Sequence, residues 1–163
     1  MDLSGDDLAG VVDLFGALTR AELREAVGEL AFKRGDEVDP EAVDAAVEEA
    51  VAAYRLVSVD PAAIENGGAT GDLLAVGPAA FPSLPEGGAD LPHIMDVPDR
   101  SVDREALASA VAGRFRDEAA DALAAGDEGR IAALADVSYD IEAWASVDVA
   151  ETRAELTGRA GDE

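Results

Sequence analysis

Few residues in this chain have the types and the spacing that catalysis requires. His93 is the only histidine and there is no cysteine, which argues against a catalytic triad, a paired-histidine metal site and thiol chemistry. The serines have no general base to activate them as nucleophiles. Paired carboxylates such as Glu48 and Glu49 fall at solvent-facing positions of a predicted helix. The sequence therefore predicts a protein that is not an enzyme.

Two segments have residue types that occur in ligand-binding loops. Asp90, Asp96 and Asp99 lie near His93 and could offer oxygen ligands to a cation, but their spacing is not that of a calcium-binding loop. The glycine-rich segment 66–71 lacks the Lys and the following Ser or Thr of a phosphate-binding loop. We therefore predict a loop histidine without ligands and a flexible hairpin tip, with no metal and no cofactor.

The charge of the chain is its most informative feature. Its 163 residues include 36 acidic and 12 basic ones, and the net charge of −24 divides into −9, −6 and −9 over residues 1–59, 60–100 and 101–163. Such a surface repels itself at low ionic strength, and concentrated salt screens this repulsion. Lys33 is the only lysine, against eleven arginines. This composition resembles that of haloarchaeal proteins, which implies a cytoplasm rich in potassium chloride.

No segment has the pattern of a targeting signal or of a membrane anchor. Residues 1–7 contain neither a basic region nor an apolar run, so we expect no signal peptide. No stretch approaches the ~18 uninterrupted apolar residues of a membrane span. We expect a cytoplasmic protein that does not enter a membrane.

Hydrophobic periodicity and capping signals predict three helices in the first half of the chain, followed by two short strands. The clearest start signal is a capping box. In it, the Thr19 side chain accepts a hydrogen bond from the third amide of the helix, and the Glu22 side chain accepts one from the amide of Thr19. Gly35 supplies the stop signal of the same helix. The predicted elements are helices at residues 6–18, 19–35 and 39–54 and strands at residues 55–59 and 72–76.

Three helices followed by a two-stranded ribbon is the element order of a winged-helix domain. The run from Leu18 to Leu23, with its capping box, resembles the start of the second helix in many such domains. The resemblance covers residues 5–80 and implies a winged-helix-like domain at residues 1–80. In DNA-binding winged helices the third helix enters the major groove and the ribbon contacts the backbone.

The rest of the chain predicts a connection and a helical segment. Residues 81–100 are rich in proline and glycine, which indicates irregular chain. Residues 101–163 predict a long helix at 102–125 and short helices at 128–135, 141–146 and 149–156. The predicted fold is mostly α with a short two-stranded β-hairpin, composed of a winged-helix-like N-terminal domain plus a C-terminal helical segment.

The charge distribution argues against DNA as the partner. The predicted third helix exposes four acidic residues and no basic one before Arg55, so phosphates would repel it. We predict a non-enzymatic protein-interaction or adaptor module, whose partner is another protein or a second copy of the chain. The alternative is a winged-helix transcriptional regulator, and the basic residues that would then contact DNA are Arg20, Arg24, Lys33 and Arg34. Ion pairing within their own helix also accounts for these four residues.

Overall fold

The computed structural model describes residues 3–65, 72–97 and 100–161. Contacts within the chain divide it into two compact units, Met1–Asp103 and Arg104–Glu163. The protein is mostly α with a short antiparallel β-hairpin, as the sequence predicts. The first unit contains α1 (Gly5–Phe15), α2 (Arg20–Arg34), α3 (Pro40–Ala52), β1 (Leu56–Val59), β2 (Ile64–Glu65), β3 (Leu73–Val76), α4 (Leu91–Ile94) and β4 (Ser101–Val102), and the second contains α5 (Arg104–Ala125), α6 (Glu128–Trp144) and α7 (Ala150–Gly161).

Side-chain caps fix the starts of the first three helices. Ser4 and Asp7 form a capping box at α1, and Thr19 and Glu22 form the predicted one at α2. Asp39 caps α3 by accepting from a first-turn amide. These caps satisfy amide groups that a helix leaves without intrahelical partners.

The first helix ends three residues earlier than the sequence predicts. Gly16 has a φ of 84°, a conformation that favours glycine. A Cβ atom at Gly16 would lie 1.8 Å from the carbonyl oxygen of Arg100. Beyond this turn, Leu18 pairs with Leu74 through two backbone hydrogen bonds of 3.0 and 2.7 Å. Leu18 thus leaves the helix because it extends the sheet.

The two principal strands form the antiparallel ribbon of the first unit. Leu56 of β1 lies opposite Val76 of β3, and Val59 lies opposite Leu73. Each strand begins one residue later than predicted. The bridge from Leu18 adds a third strand-like segment on the free side of β3. The predicted order of three helices and a ribbon is therefore present, while the glycine-rich tip at residues 66–71 lies outside the described residues.

Residues 81–97, which we call the strap, pack on the helices of the first unit. The amide of Ser83 donates to the carbonyl oxygen of Asp6 at 3.1 Å. Gly10 of α1 allows this approach, because a Cβ atom there would lie 2.1 Å from the carbonyl oxygen of Ser83. Farther along, Leu91 and Met95 are buried in the core of the unit. The strap, which includes the short helix α4, is thus held in place by a close contact and two buried side chains.

The clearest difference between the second unit and its prediction concerns the number of helices. The short helices predicted at 128–135 and 141–146 are a single helix, α6, which runs from Glu128 to Trp144. The residues between them include no glycine or proline to break the helix. Ser138, which is buried, donates its hydroxyl to the carbonyl oxygen of Ala135 at 2.5 Å. The polar side chain is satisfied within the helix, so the helix continues.

The long helix α5 begins at Arg104, two residues after the predicted start. Ser101 and Val102 are not part of it, because they pair with Glu65 and Ile64 as strand β4. The last helix, α7, runs to Gly161, five residues beyond the predicted end at residue 156. At its start, the amide of Ala150 donates a hydrogen bond to the carboxylate of Asp148 at 2.9 Å.

Candidate interaction surface

Two of the four basic residues that the DNA-binding hypothesis singles out face the third helix. Arg20 of α2 forms an ion pair with Glu48 of α3, at 2.7 Å. Arg24 forms a second ion pair with Asp44, at 2.8 Å. Both carboxylates belong to the acidic outer face of α3. The pairs connect two helices, whereas the sequence offered pairing within one helix.

The other two basic residues face the strap. The ammonium group of Lys33 lies 2.5 Å from a carboxylate oxygen of Asp90. Arg34 donates to the carbonyl oxygen of Glu86 at 3.3 Å. The four residues therefore form two separate sets at opposite ends of α2, each bound to a neighbouring element.

The outer face of α3 carries acidic residues and, between Pro40 and Ala52, no basic one. Its exposed carboxylates belong to Glu41, Asp44, Glu48 and Glu49. Asp44 and Glu48 form ion pairs with α2. Glu41 and Glu49 therefore dominate the face that a winged helix would insert into the major groove of DNA. Phosphate groups would be repelled there.

His93 is exposed on the strap. Asp90, one of its predicted neighbours, forms the ion pair with Lys33, and its pKa lies below the usual range because Lys33 donates a hydrogen bond to it. Asp99 lies outside the described residues. Among the residues that the structure describes, no group of three His, Cys, Asp or Glu side chains is placed to hold a metal ion.

Two of the four phenylalanines of the chain are almost fully exposed. Phe32 is 81% exposed and Phe81 is 80% exposed, whereas Phe15 and Phe115 are 2% and 0% exposed. Burying such a side chain stabilises a protein by roughly 1.5–3 kcal/mol. Each exposed ring forgoes that stabilisation in the isolated chain.

The exposed large apolar side chains of the first unit belong to the strap and to α2. Phe81, Leu84 and Ile94 belong to the strap, and the last two are 47% and 46% exposed. Phe32 lies next to Lys33, which binds the strap through Asp90. We call Phe32, Phe81, Leu84 and Ile94 the apolar set.

Hydrogen bonds and prolines hold the first part of the strap. The amide of Phe81 donates to the carboxylate of Asp6 at 3.0 Å, and the hydroxyl of Ser83 donates to the carboxylate of Asp7 at 2.8 Å. Burial acts to raise the pKa of Asp7, but hydrogen bonds from Ser4 and Ser83 lower it below its usual range. Pro82 also restricts the backbone. The backbone that carries Phe81 is thus held in place by its own contacts, which reduces the entropy cost of binding a partner there.

The strap adds negative charge to its apolar side chains. Residues 81–97 include Glu86, Asp90 and Asp96 and no lysine or arginine.

A family model matches most of the chain. A model described as a family of unknown function, DUF7109, matches residues 6–161. The chain belongs to DUF7109.

The DUF7109 match includes most of both units. No curated protein and no solved structure matches the chain. In the described part of this DUF7109 protein, no helix has both the length and the apolar character needed to cross a membrane.

Proposed function

We propose that this DUF7109 protein is a non-enzymatic protein-interaction or adaptor module of a salt-rich cytoplasm. The observation that carries the proposal is the exposure of Phe32 and Phe81, at 81% and 80%, whereas the other two phenylalanines of the chain are buried. A partner that covers both rings would gain the burial that the isolated chain forgoes. Exposed large apolar groups on an otherwise charged surface mark interaction sites.

The salt-rich cytoplasm is part of the same proposal. A net charge of −24 would keep two acidic proteins apart in dilute buffer. At about 1 M salt the screening length falls to roughly 3 Å, so apolar contacts can form between such surfaces. A partner therefore binds at high salt through the apolar set.

A winged-helix transcriptional regulator is the alternative, and the order of three helices and a ribbon favours it. Its candidate DNA contacts are the basic residues of α2. Three of them, Arg20, Arg24 and Lys33, are ion-paired with carboxylates of the first unit. Duplex binding through these residues would have to compete with those pairs, so we rank this function second.

The test is affinity isolation of the tagged protein from its native cells at cytoplasmic salt, with and without nuclease treatment. A variant with Phe32→Ser and Phe81→Ser removes both rings. Tyr139→Ser is the matched control, because Tyr139 is a 60% exposed aromatic residue of the second unit. We expect a nuclease-resistant protein partner with the natural sequence and with the control, and at least a tenfold loss with the double variant.

A second variant tests the regulator. Arg24→Glu with Arg34→Glu reverses the charge of one residue from each basic set. Recovery of defined DNA fragments that this reversal abolishes would support the regulator and contradict the adaptor proposal. A protein partner that survives the reversal, with no DNA enrichment, is the result that we expect.

A further inference from the structure

The second unit contains a cleft of about 540 Å³, which lies within the size range of small-molecule sites. Its lining includes Arg104 and Ser109 of α5. It also includes Trp144, at the end of α6, and Ser146, just after it. None of the residues that line the cleft belongs to the apolar set or to the basic residues of α2.

The guanidinium of Arg104 lies over the indole ring of Trp144, 5.3 Å from the ring centroid. Trp144 is the only tryptophan of the chain and is half-buried. Stacking on a ring holds the guanidinium in one orientation while its N–H groups stay in the plane of the group. Those N–H groups remain available to an acceptor in the cleft.

Arg104 differs from the other arginines whose side chains the structure describes. Each of the others contacts a protein oxygen through its guanidinium, whereas Arg104 contacts a ring. Two of these, Arg34 and Arg116, contact backbone carbonyl oxygens rather than carboxylates, so what sets Arg104 apart among the described arginines is a ring contact with no protein-oxygen contact beside it. The arginines with oxygen contacts are Arg20, Arg24, Arg34, Arg55, Arg100, Arg114, Arg116, Arg130 and Arg153.

We propose that this cleft binds a small organic anion of low charge, with its carboxylate or phosphate group on Arg104 and its body beside Trp144. The hydroxyls of Ser109 and Ser146 add hydrogen-bond donors to the lining. Bidentate donation from a fixed guanidinium suits both anionic groups. Glu105 is also part of the lining, so its carboxylate disfavours a ligand with several negative charges. The proposal does not depend on the interaction function of the first unit.

Trp144 makes the test direct, because all the tryptophan fluorescence of the intact chain comes from the cleft. The probes are benzoate, phenyl phosphate and the neutral benzamide, titrated at a constant high KCl concentration. We expect a saturable change in emission with one or both anions and none with benzamide. The stronger of benzoate and phenyl phosphate identifies the anionic group that the cleft prefers.

Arg104→Gln keeps the polar character of the side chain and removes its charge. We expect it to weaken binding of the preferred probe by roughly tenfold to a hundredfold, which is the effect of a charge-assisted hydrogen bond. Arg116→Gln is the matched control on the same helix, because Arg116 contacts the carbonyl oxygen of Asp148 and does not line the cleft. Affinity is compared rather than emission, since the loss of the ring contact alone alters the fluorescence.

A second measurement uses the natural sequence, so it does not depend on how well a variant folds. The backbone amide signals of Ser109 and Ser146 should shift with benzoate or phenyl phosphate in magnetic resonance spectra, and stay in place with benzamide. Equal affinity in Arg104→Gln, the absence of any saturable anion response, or tighter binding of citrate than of both probes would overturn the proposal.

Discussion

The guanidinium of Arg100 and the carboxylate of Glu22 form a two-point ion pair. Nη1 lies 2.6 Å from Oε1 and Nη2 lies 3.1 Å from Oε2. The Arg100 side chain is only 4% exposed, and Nη1 also donates to the carbonyl oxygen of Ala17 at 3.0 Å. Glu22 in turn accepts from the amide of Thr19 at 2.8 Å. One carboxylate therefore caps α2 and holds the chain that follows the strap at the junction of α1 and α2.

Removal of Arg100 should destabilise the first unit strongly. Arg100→Ala leaves the part-buried carboxylate of Glu22 without its charged partner, which costs about 3–5 kcal/mol for a buried pair. Arg24→Ala breaks the exposed pair with Asp44 and should cost less than about 1 kcal/mol. Denaturant unfolding at constant high KCl measures both free energies. Equal losses in the two variants would contradict the role that we give to the buried pair.

The same pair predicts how stability depends on pH. Burial acts to raise the pKa of Glu22, but hydrogen bonds and charge from Arg100, with hydrogen bonds from Thr19, outweigh it and lower the pKa below the usual 4.5. As the pH falls, Glu22 therefore takes up its proton at a higher pH in the unfolded chain than in the folded protein. The stabilisation from Glu22 is complete above pH 4.5 and is lost as the pH falls through the lower pKa of the folded state.

Glu22→Gln should reduce this loss of folding stability at acidic pH. Urea midpoints measured from neutral pH to about pH 3 test it, since carboxylates titrate in this range. Glu25→Gln, which removes an exposed carboxylate of the same helix, is the matched control and should retain the decline of the natural sequence. A decline that is as steep in Glu22→Gln as in the control would contradict the assignment to Glu22.

Local signals in the sequence predict the starts of the first three helices, because caps and apolar spacing act within a few residues. Thr19 and Glu22 are three residues apart, and their capping box is present as predicted. The contacts that define the sites join distant residues, and no local pattern encodes them. Arg100 lies 78 residues from Glu22.

The ion-pair partners of the basic residues are also distant in sequence, so no local pattern predicts them. The sequence places Arg24 and Lys33 on α2, but not their partners on α3 and the strap. Phe32 could have been identified as exposed, since it lies off the buried stripe of α2 formed by Leu23, Ala26, Val27, Leu30 and Ala31. No periodic pattern surrounds Phe81, which precedes a proline in irregular chain.

Gly10→Ala should displace the strap. The added methyl group would lie 2.1 Å from the carbonyl oxygen of Ser83, a backbone atom that cannot turn aside. We expect a loss of roughly 1–3 kcal/mol, as for other overpacked sites. The same variant should weaken binding of a partner that covers Phe81 and Leu84.

Gly28→Ala is the matched control for this substitution. Gly28 lies inside α2, and a Cβ atom there would meet nothing within 4 Å. Because alanine is the better helix former, this variant should gain up to about 1 kcal/mol. Thermal unfolding of both variants at one KCl concentration gives the comparison. A gain in Gly10→Ala would show that the strap is not seated against α1.

The acidic surface predicts that stability rises steeply with salt. The net charge of −24 opposes compaction in dilute buffer, and the screening length falls from about 30 Å at 0.01 M to about 3 Å at 1 M. We expect thermal unfolding to shift to higher temperature as KCl increases. A protein that is equally stable in dilute buffer and in concentrated KCl would contradict the proposal of a salt-rich cytoplasm.

A charge variant separates screening from other effects of salt. Glu41→Gln with Glu49→Gln removes two exposed carboxylates of α3 and leaves the paired Asp44 and Glu48 in place. This variant should be more stable than the natural sequence in dilute buffer, because it carries less self-repulsion. The difference should disappear in concentrated KCl, where the repulsion is screened. If the difference persists at high salt, the two carboxylates act through local contacts, and repulsion across the surface is not the cause.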